Sequence, residues 1–284
     1  MFGQFKRTKR SFEGVLTGKD TLWGGSHIRP EATGYGCVFF AAEALADAGT
    51  SLDGATAIIS GSGNVAQYTA EKVLELGGKP VTFSDSSGYI VEPEGFSQEQ
   101  VDTLMDIKNS KRGGRVSEFL KFSTTAQFVD GERPWEVAAN AGASPAGGFP
   151  NLLAFPSATQ NEVDRNDAED LVAGNCLGVF EGANMPCTKD AVAVLEGNGV
   201  VFGPGKAANA GGVAVSGLEM AQNASMTQWS REKAEGELHR IMKEVYRQCA
   251  DAADDYDRPG NLKDGANIAG FKKVADAMIQ QGSV

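Results

Sequence analysis

The sequence predicts an α/β fold of the Rossmann-like, doubly wound kind, with a mostly parallel sheet, flanking helices and a C-terminal helical segment. Residues 55–60 form a short buried-strand pattern that breaks into a glycine-rich turn at Gly61 and Gly63. Apolar residues then recur at helical spacing until Gly77, where a C-terminal glycine would end a helix. Further short apolar runs alternate with helical patterns along the chain, which is typical of a parallel sheet.

The glycine-rich turn has the chemistry of a dinucleotide site. Gly61 and Gly63 allow the backbone to approach a diphosphate, and the small Ala66 lets the helix lie close to the strand. The N–H groups at the start of that helix would face the anion. Asp85 follows the next apolar run, roughly twenty residues past the turn, where a ribose-binding acid belongs. The alternative is a glycine turn that only links a strand to a helix.

The other elements follow in order along the chain. Loops rich in glycine and other small residues are predicted at 23–36, 138–148 and 207–212. Strands are predicted at 81–83, 152–155, 177–180 and 200–202, and helices at 38–48, 98–108, around Leu171, at 213–222 and from the N-cap Ser230 onwards. The last helix is amphipathic, with Ile268, Phe271, Val274, Ala275 and Met278 on its apolar face.

A basic cluster at 108–115 interrupts an otherwise acidic chain. A solvated loop is one interpretation. The other is an anion clamp, because Lys and Arg side chains beside the second strand could neutralise the 2′-phosphate that distinguishes NADP from NAD.

Composition limits the classes of function. The 284 residues carry a formal net charge of −11, which argues against nucleic acid or an anionic membrane as the main partner. Four cysteines without a C-x-x-C pair are too few for a disulfide framework, so we expect reduced, buried thiols and no metal site. His27 and His239 are far apart and no serine elbow accompanies them, which gives hydrolase chemistry little support. The absence of a spanning or signal-like run predicts a cytoplasmic protein; a targeting segment for an organelle would lie upstream of this chain.

A series of motifs runs through the chain in a fixed order. They lie at 23–36 (WGGSHIRPEATGYG), 61–67 (GSGNVAQ), 158–161 (ATQN), 181–186 (EGANMP), 204–213 (PGKAANAGGV), 216–220 (SGLEM) and 265–271 (GANIAGF). With these motifs the chain resembles the cofactor-binding half of the hexameric glutamate dehydrogenases, especially the NADP-dependent type, within the Glu/Leu/Phe/Val dehydrogenase family.

The resemblance implies roles for particular residues. Ser216 is similar to the family serine that hydrogen-bonds the distal carboxylate of the substrate, and Val213 would pack beside the substrate chain. Ser84-Asp85-Ser86 resembles the NADP-type sequence, so NADP(H) is expected rather than NAD(H), although the charge of Asp85 alone would favour NAD. The implied cofactor-binding residues are Arg29, Thr33, Gly61, Ser62, Gly63, Asn64, Val65, Ser84, Asp85, Ser86, Lys108, Arg112, Ala158, Thr159, Asn184 and Asn209.

The implied reaction is the reversible oxidative deamination of L-glutamate to 2-oxoglutarate and ammonia, with a hexamer as the full-length assembly. We expect a hinge segment at 1–36, a dinucleotide-binding domain at 37–228 and C-terminal helices at 229–284 that pack toward a separate substrate domain. The catalytic lysine and aspartate of the family are expected upstream of Met1, so this chain alone is predicted to be inactive. The alternatives are a fragment that only binds dinucleotide and a related dehydrogenase for apolar amino acids.

Overall fold

The computed structural model describes residues 1–12, 14–110, 113–141 and 149–282. Within these residues the strands are β1 (Thr56–Ile59), β2 (Lys79–Pro80), β3 (Thr82–Asp85), β4 (Gly88–Val91), β5 (Gln127–Asp130), β6 (Leu153–Phe155), β7 (Gly178–Phe180) and β8 (Val201–Gly203). The helices are α1 (Phe2–Lys9), α2 (Ala32–Asp47), α3 (Asn64–Glu75), α4 (Gln98–Ser110), α5 (Glu136–Ala141), α6 (Arg165–Ala173), α7 (Lys189–Gly197), α8 (Gly205–Ala208), α9 (Gly211–Ala224), α10 (Arg231–Asp255) and α11 (Leu262–Gln281). Short 3₁₀ turns lie at Thr21–Trp23 and Val116–Lys121.

The central sheet is parallel and has the strand order β2-β1-β6-β7-β8. Ala57 of β1 pairs with Pro80 on one side and with Leu153 on the other. The chain therefore moves to one side of β1 for β2 and returns to the other side for β6. In a doubly wound sheet such a reversal opens a crevice at the carboxyl ends of the two strands. The predicted fold class is confirmed.

Side chains alternate across the central strands and so fill two cores. Ala57 and Ile59 face one hydrophobic cluster with the buried residues of α2, α3 and α10, whereas Ile58 faces a second cluster with Leu171 and Leu195 of α6 and α7. In β6, Leu153 and Phe155 face the first cluster and Ala154 the second. Because both faces are covered by helices, the central strands β1, β6 and β7 are fully buried and mostly apolar, as expected for a parallel sheet.

The strand predicted at 81–83 differs from the observed one. Only β2 pairs with the parallel sheet, and the chain then enters a second, antiparallel sheet of order β3-β4-β5. Residues 81–82, where the chain leaves the parallel sheet, remain hydrogen-bonded to β1. Val81 N donates to Ala57 O (2.9 Å), and Ile59 N donates to the Thr82 hydroxyl (2.9 Å). A short strand pattern cannot reveal which partner each of its residues will pair with.

Two regions predicted as glycine-rich loops are helical in part, although residues 24–31 lie outside helices and strands as predicted. The helix α2 begins at Ala32 rather than at 38, and α8 and α9 cover most of 207–212. A Cβ on Gly34 would lie 2.6 Å from the Thr69 nitrogen, and one on Gly36 would lie 2.8 Å from the Gly211 Cα. These glycines therefore permit close contact between helices, whereas the sequence pattern was interpreted as a loop.

The predicted loop at 138–148 is also wrong in its first part. Residues 138–141 belong to α5, and Ala138 is fully buried in the second hydrophobic cluster. Residues 142–148 lie outside the described part of the chain.

The C-terminal helices bury different fractions of their apolar faces. In α10 the stripe of Leu238, Met242, Tyr246 and Cys249 is buried against the core. In α11, by contrast, Phe271 is 73% exposed, and Val274, Met278 and Ile279 are exposed as well. All four cysteines are buried and free. No helix in the described ranges combines the length and the apolar character needed to cross a membrane.

The contact between α2 and α9 makes a stability prediction. A Cβ on Gly211 would lie 2.0 Å from the Ala32 carbonyl oxygen, whereas a Cβ on Gly217 of the same helix meets no atom within 4 Å. We expect Gly211→Ala to lower the free energy of unfolding by about 3 kcal/mol through overpacking. The control Gly217→Ala should raise it by up to about 1 kcal/mol, because Ala is the better helix former.

Urea denaturation of the two variants checks this. Equal free energies of unfolding for Gly211→Ala and Gly217→Ala would contradict the packing role of Gly211.

Candidate functional site

The first wall of the site is the turn between β1 and α3. Gly61 has a φ of +82°, a conformation that favours glycine, and its N–H donates to the Ser84 hydroxyl at 2.7 Å. A Cβ on Gly61 would lie 3.0 Å from the Ser157 carbonyl oxygen, so the turn touches the loop after β6. Gly63 is the N-cap of α3, and no side chain caps that helix end. The N–H groups of its first turn are therefore suited to an anion.

The second wall is the loop after β6. Ser157 N donates to the Ser60 hydroxyl at 2.9 Å, which joins the two walls at their base. The Glu162 carboxylate accepts the N–H groups of Ala158 (2.9 Å) and Thr159 (3.2 Å). Burial raises the pKa of Glu162, and these hydrogen bonds oppose that rise only in part. The carboxylate thus fixes the loop conformation from behind.

Two cavities open at the carboxyl edge of the sheet and share Ser157 and Ala158 as lining residues; together they are called the groove. The first, of about 420 Å³, is lined by Gly61, Ser62, Gly63, Ser84, Asp85, Ser86, Glu132, Arg133, Pro134, Ser157, Ala158, Thr159 and Glu162. The second, of about 560 Å³, is lined by Arg29, Thr33, Val65, Ser157, Ala158, Gly182, Ala183, Asn184, Asn209, Gly212, Val213 and Ser216.

Asp85 lies at the far end of the first cavity among cations. Lys108 Nζ is 3.3 Å from its Oδ2, and Arg115 Nη1 is 3.6 Å from its Oδ1 and donates to the Ser86 hydroxyl at 2.6 Å. Burial acts to raise the pKa of Asp85, but hydrogen bonds from Ser87 and the Val116 N–H, together with Lys108, hold that pKa below its usual value. The ionised carboxylate therefore holds the side chains of Lys108 and Arg115 beside the cavity.

Ser216 lies at the opposite end, in the second cavity. Its hydroxyl accepts hydrogen bonds from Arg29 Nε at 2.8 Å and from the Thr17 hydroxyl at 3.1 Å. Because Ser216 accepts both bonds, its own O–H group can donate to a ligand. Val213, one turn earlier in α9, is exposed at the same cavity.

Asn209 joins α8 to the loop after β7. Its amide nitrogen donates to the Ala183 carbonyl (3.1 Å) and to the Asn184 side-chain oxygen (2.8 Å). A Cβ on Gly182 would lie 2.6 Å from the Ser157 hydroxyl and 3.0 Å from Val65 Cγ1, so this loop also touches both walls. Three strand ends thus meet around the groove.

Most of the residues predicted for the site line the groove, and they divide between its two cavities. Arg29 lies at the Ser216 end. Asn64, at the first position of α3, and Lys108, behind Asp85, line neither cavity. Arg112 lies outside the described residues. In the part of the chain that the structure describes, no group of His, Cys, Asp or Glu is suited to hold a metal ion.

Buried carboxylates support the groove, and the sequence analysis missed them. Glu181 accepts the N–H groups of Gly205 (2.6 Å) and Cys187 (3.2 Å), while burial raises its pKa. Glu219, one turn after Ser216, forms a buried ion pair with Lys19 at 2.5 Å and thereby ties the segment before α2 to α9. An acid inside an apolar helix or directly after a buried strand was the available signal.

Reversed strand order, an uncapped helix start after the first strand and a groove along the carboxyl edge define the class of α/β domains that bind dinucleotides. The family model for Glutamate/Leucine/Phenylalanine/Valine dehydrogenase matches residues 24–282. The chain belongs to this family.

Similar proteins agree with this assignment. The chain is 49% identical over 286 residues to an NADP-specific glutamate dehydrogenase of Giardia intestinalis, covering 100% of this chain and 61% of that protein. It is 46% identical over 282 residues to an NAD(P)-specific glutamate dehydrogenase of Xylanibacter ruminicola, covering 99% and 60%. The crystal structure of Plasmodium falciparum glutamate dehydrogenase superposes with a TM-score of 0.93 at 45% identity, covering 100% and 58%. The chain thus spans about three fifths of the length of these relatives.

The environment of Asp85 predicts a pH dependence. A carboxyl group whose pKa is lowered on folding adds stability above its ordinary value of 3.8, and that stability is lost as the pH falls through the folded pKa. Asp85→Asn should therefore unfold at a lower temperature than the unchanged chain at about pH 6, and the gap should close toward about pH 3.

Thermal unfolding across this pH range is the measurement, and Asp106→Asn, which changes an exposed carboxylate on α4, is the control. A gap for Asp85→Asn that stays constant with pH would contradict the lowered pKa of the Asp85 carboxyl group.

Proposed function

We propose that this chain is the cofactor-binding part of an NADP-dependent glutamate dehydrogenase, which interconverts L-glutamate with 2-oxoglutarate and ammonia. The observation that carries the proposal is the pair of adjoining cavities, one lined by the glycine turn at Gly61 and the other by the Ser216 hydroxyl beside Arg29. A dinucleotide laid along it would have its diphosphate over the turn and its nicotinamide near Ser216.

The residues of the groove fit NADP(H). The diphosphate would lie over Gly61, Ser62, Gly63, Asn64 and Val65, where the two glycines lack side chains and the uncapped first turn of α3 offers N–H groups. The adenosine 2′-phosphate would lie near Ser84, Asp85 and Ser86, with Lys108, Arg112 and Arg115 as its counter-charges. Ala158, Thr159 and Asn184 would line the path of the nicotinamide ribose, and Thr33 and Asn209 would face the ring. When bound, the nicotinamide supplies the hydride chemistry.

Asp85 does not exclude NADP in this arrangement. Both of its oxygens already have partners, since Ser87 donates to Oδ1 and Lys108 and the Val116 N–H donate to Oδ2. A carboxylate so engaged is a weaker acceptor for ribose hydroxyls, and its charge is offset by two cations. These contacts support NADP over NAD.

The substrate end suits a carboxylate. The Ser216 O–H can donate, and the Arg29 guanidinium next to it carries a positive charge that would attract the distal carboxylate of glutamate. Val213 would pack beside the methylene groups of the substrate. We therefore propose that Arg29 acts at the substrate end rather than on the cofactor. A polar pair at this position argues against the related dehydrogenases for apolar amino acids.

The proton-transfer groups are proposed to come from the part of the relatives that this chain does not span. That part would close over the groove, exclude water and bring the catalytic lysine and aspartate to the substrate. A hexamer and a cytoplasmic location complete the proposal; four free, buried cysteines support a reducing compartment. If the chain acts alone, it is a dinucleotide-binding module.

Cofactor preference can be measured on this chain. We expect tighter binding of NADPH than of NADH, and Lys108→Gln should raise the Kd for NADPH about tenfold with little effect on NADH, since one charge near the 2′-phosphate is lost. Lys121→Gln, at an exposed lysine on the neighbouring 3₁₀ turn, is the matched control. Titration of nucleotide fluorescence measures both constants. Equal affinity of the unchanged chain for the two nucleotides would refute the NADP assignment.

Turnover tests the substrate assignment. The 284-residue chain should bind NADPH without producing it from glutamate and NADP⁺, and activity should appear once the chain is joined to the part of a relative that it does not span. In that fusion, Ser216→Ala should lower kcat/KM for glutamate about 10- to 100-fold, the cost of one hydrogen bond to a charged group.

Ser225→Ala at the end of the same helix is the control, and norvaline, which lacks the distal carboxylate, is the comparison substrate. Equal losses for glutamate and norvaline on Ser216→Ala would remove Ser216 from carboxylate recognition.

A further inference from the structure

Arg133 connects two segments that line the first cavity, residues 132–134 and the loop after β6. It lies between β5 and α5, on the segment of Glu132, Arg133 and Pro134 that lines the cavity opposite the loop after β6. Its Nη1 donates to Asp167 Oδ2 at 2.7 Å, to Asp164 Oδ2 at 3.1 Å and to the Glu162 carbonyl oxygen at 3.2 Å. One guanidinium nitrogen thus holds the end of one wall against the start of α6.

The anchor on the α6 side is rigid. Asp164 caps the helix by accepting the N–H groups of Asn166 and Asp167, and the Asp167 carboxylate accepts the Asp164 N–H in return. The Asp167 side chain is only 14% exposed. The same segment carries Glu162, whose carboxylate fixes Ala158 and Thr159 in the groove. A shift of Arg133 is therefore coupled to the loop that would contact the cofactor.

The segment of residues 131–134 is held at both of its ends. Gly131 has a φ of +73° and Glu132 is exposed, while the buried Trp135 holds the far end of the segment in the second hydrophobic cluster. The Gly131 N–H donates to the Ser87 carbonyl at 2.9 Å, which ties this wall to the loop that carries Asp85 and Ser86. Arg133 thus acts on a segment that adjoins the predicted 2′-phosphate position.

The charge of Arg133 also matters at this place. Asp85, Glu132 and Glu162 line the first cavity, yet the ligand proposed for it carries phosphates. The Arg133 side chain lines the same cavity and is 51% exposed, so its charge offsets these acids, while its contacts with Asp164 and Asp167 hold it in place. Removing the guanidinium would leave these acids facing a polyanion.

We propose that Arg133 is a positioning residue for the adenosine half of the cofactor. It joins the segment of residues 131–134 to the start of α6 and offsets the charge of the acids that line the first cavity. This inference rests on the proposed function, because it assumes that the adenosine 2′-phosphate occupies the first cavity. It gives Arg133 a role that the glycine motif and the basic cluster do not contain.

The test divides the cofactor into its two halves. Calorimetric titration would measure the binding of adenosine 2′,5′-bisphosphate, reduced nicotinamide mononucleotide and NADPH to the unchanged chain and to its variants. Arg133→Gln should raise the Kd for NADPH and for the adenosine bisphosphate about tenfold, the loss of one charge-assisted contact, and leave the mononucleotide unchanged. The control Arg165→Gln removes an exposed ion pair with Glu169 within α6 and should leave the Kd of all three ligands unchanged.

Two further variants separate positioning from folding. Arg133→Lys keeps the charge and should recover most of the lost affinity. Asp164→Asn keeps a good N-cap but removes one partner of Arg133, so a smaller loss confined to the adenosine half is expected. If Arg133→Gln does not fold, these two variants carry the test.

The outcomes are distinct. Equal losses for both halves of the cofactor, an Arg133→Lys variant as weak as Arg133→Gln, or unchanged binding of the adenosine bisphosphate by Arg133→Gln and Asp164→Asn would each overturn the role of Arg133 while leaving the proposed function intact. If the unchanged chain binds neither NADPH nor the adenosine bisphosphate, the proposed cofactor site is wrong and this inference falls with it.

Discussion

The site depends on close approach of backbone to backbone at the carboxyl edge of the parallel sheet. Gly61 and Gly182 bring the ends of β1 and β7 against the loop after β6, and a Cβ at either position would meet Ser157 at 3.0 Å or less. Gly34 and Gly36 allow α2 to lie against α3 and α9 in the same way. Since each contact joins elements far apart in the chain, larger side chains at these positions would separate the parts of the groove.

The chain has a net negative charge and is proposed to bind a polyanion, so carboxylates near the groove would repel the ligand unless other groups offset their charge. Four of the carboxylates around the groove have partners within the protein: Asp85 pairs with Lys108, Glu162 and Glu181 accept backbone N–H groups, and Glu219 pairs with Lys19. Each of them fixes a loop or a segment at the same time. The acids thus serve as structural acceptors, and the positive potential of the groove comes from Lys108, Arg115, Arg133 and Arg29 together with the start of α3.

Sequence patterns predicted the structure correctly where the conformation of a segment depends on that segment alone. The strand, turn and helix from 55 to 77 could be predicted because burial, glycine and helical spacing all act within that segment. They failed where a second element decides. Glycine in 32–36 and 207–212 was interpreted as loop, but its function is to admit a neighbouring helix. The pattern at 81–85 could not show that the chain would leave one sheet for another.

The sequence by itself determined the fold class, the glycine turn and most of the residues along the groove, because these depend on spacing and on motifs that lie within single elements. Only the tertiary structure decided that Arg29 contacts Ser216 and that Lys108 forms an ion pair with Asp85. The same holds for the hydrogen bonds of Arg133 with Asp164 and Asp167. The partners in each of these pairs lie more than 20 residues apart in the chain. Their contacts are set by how helices and loops pack, which no local pattern encodes.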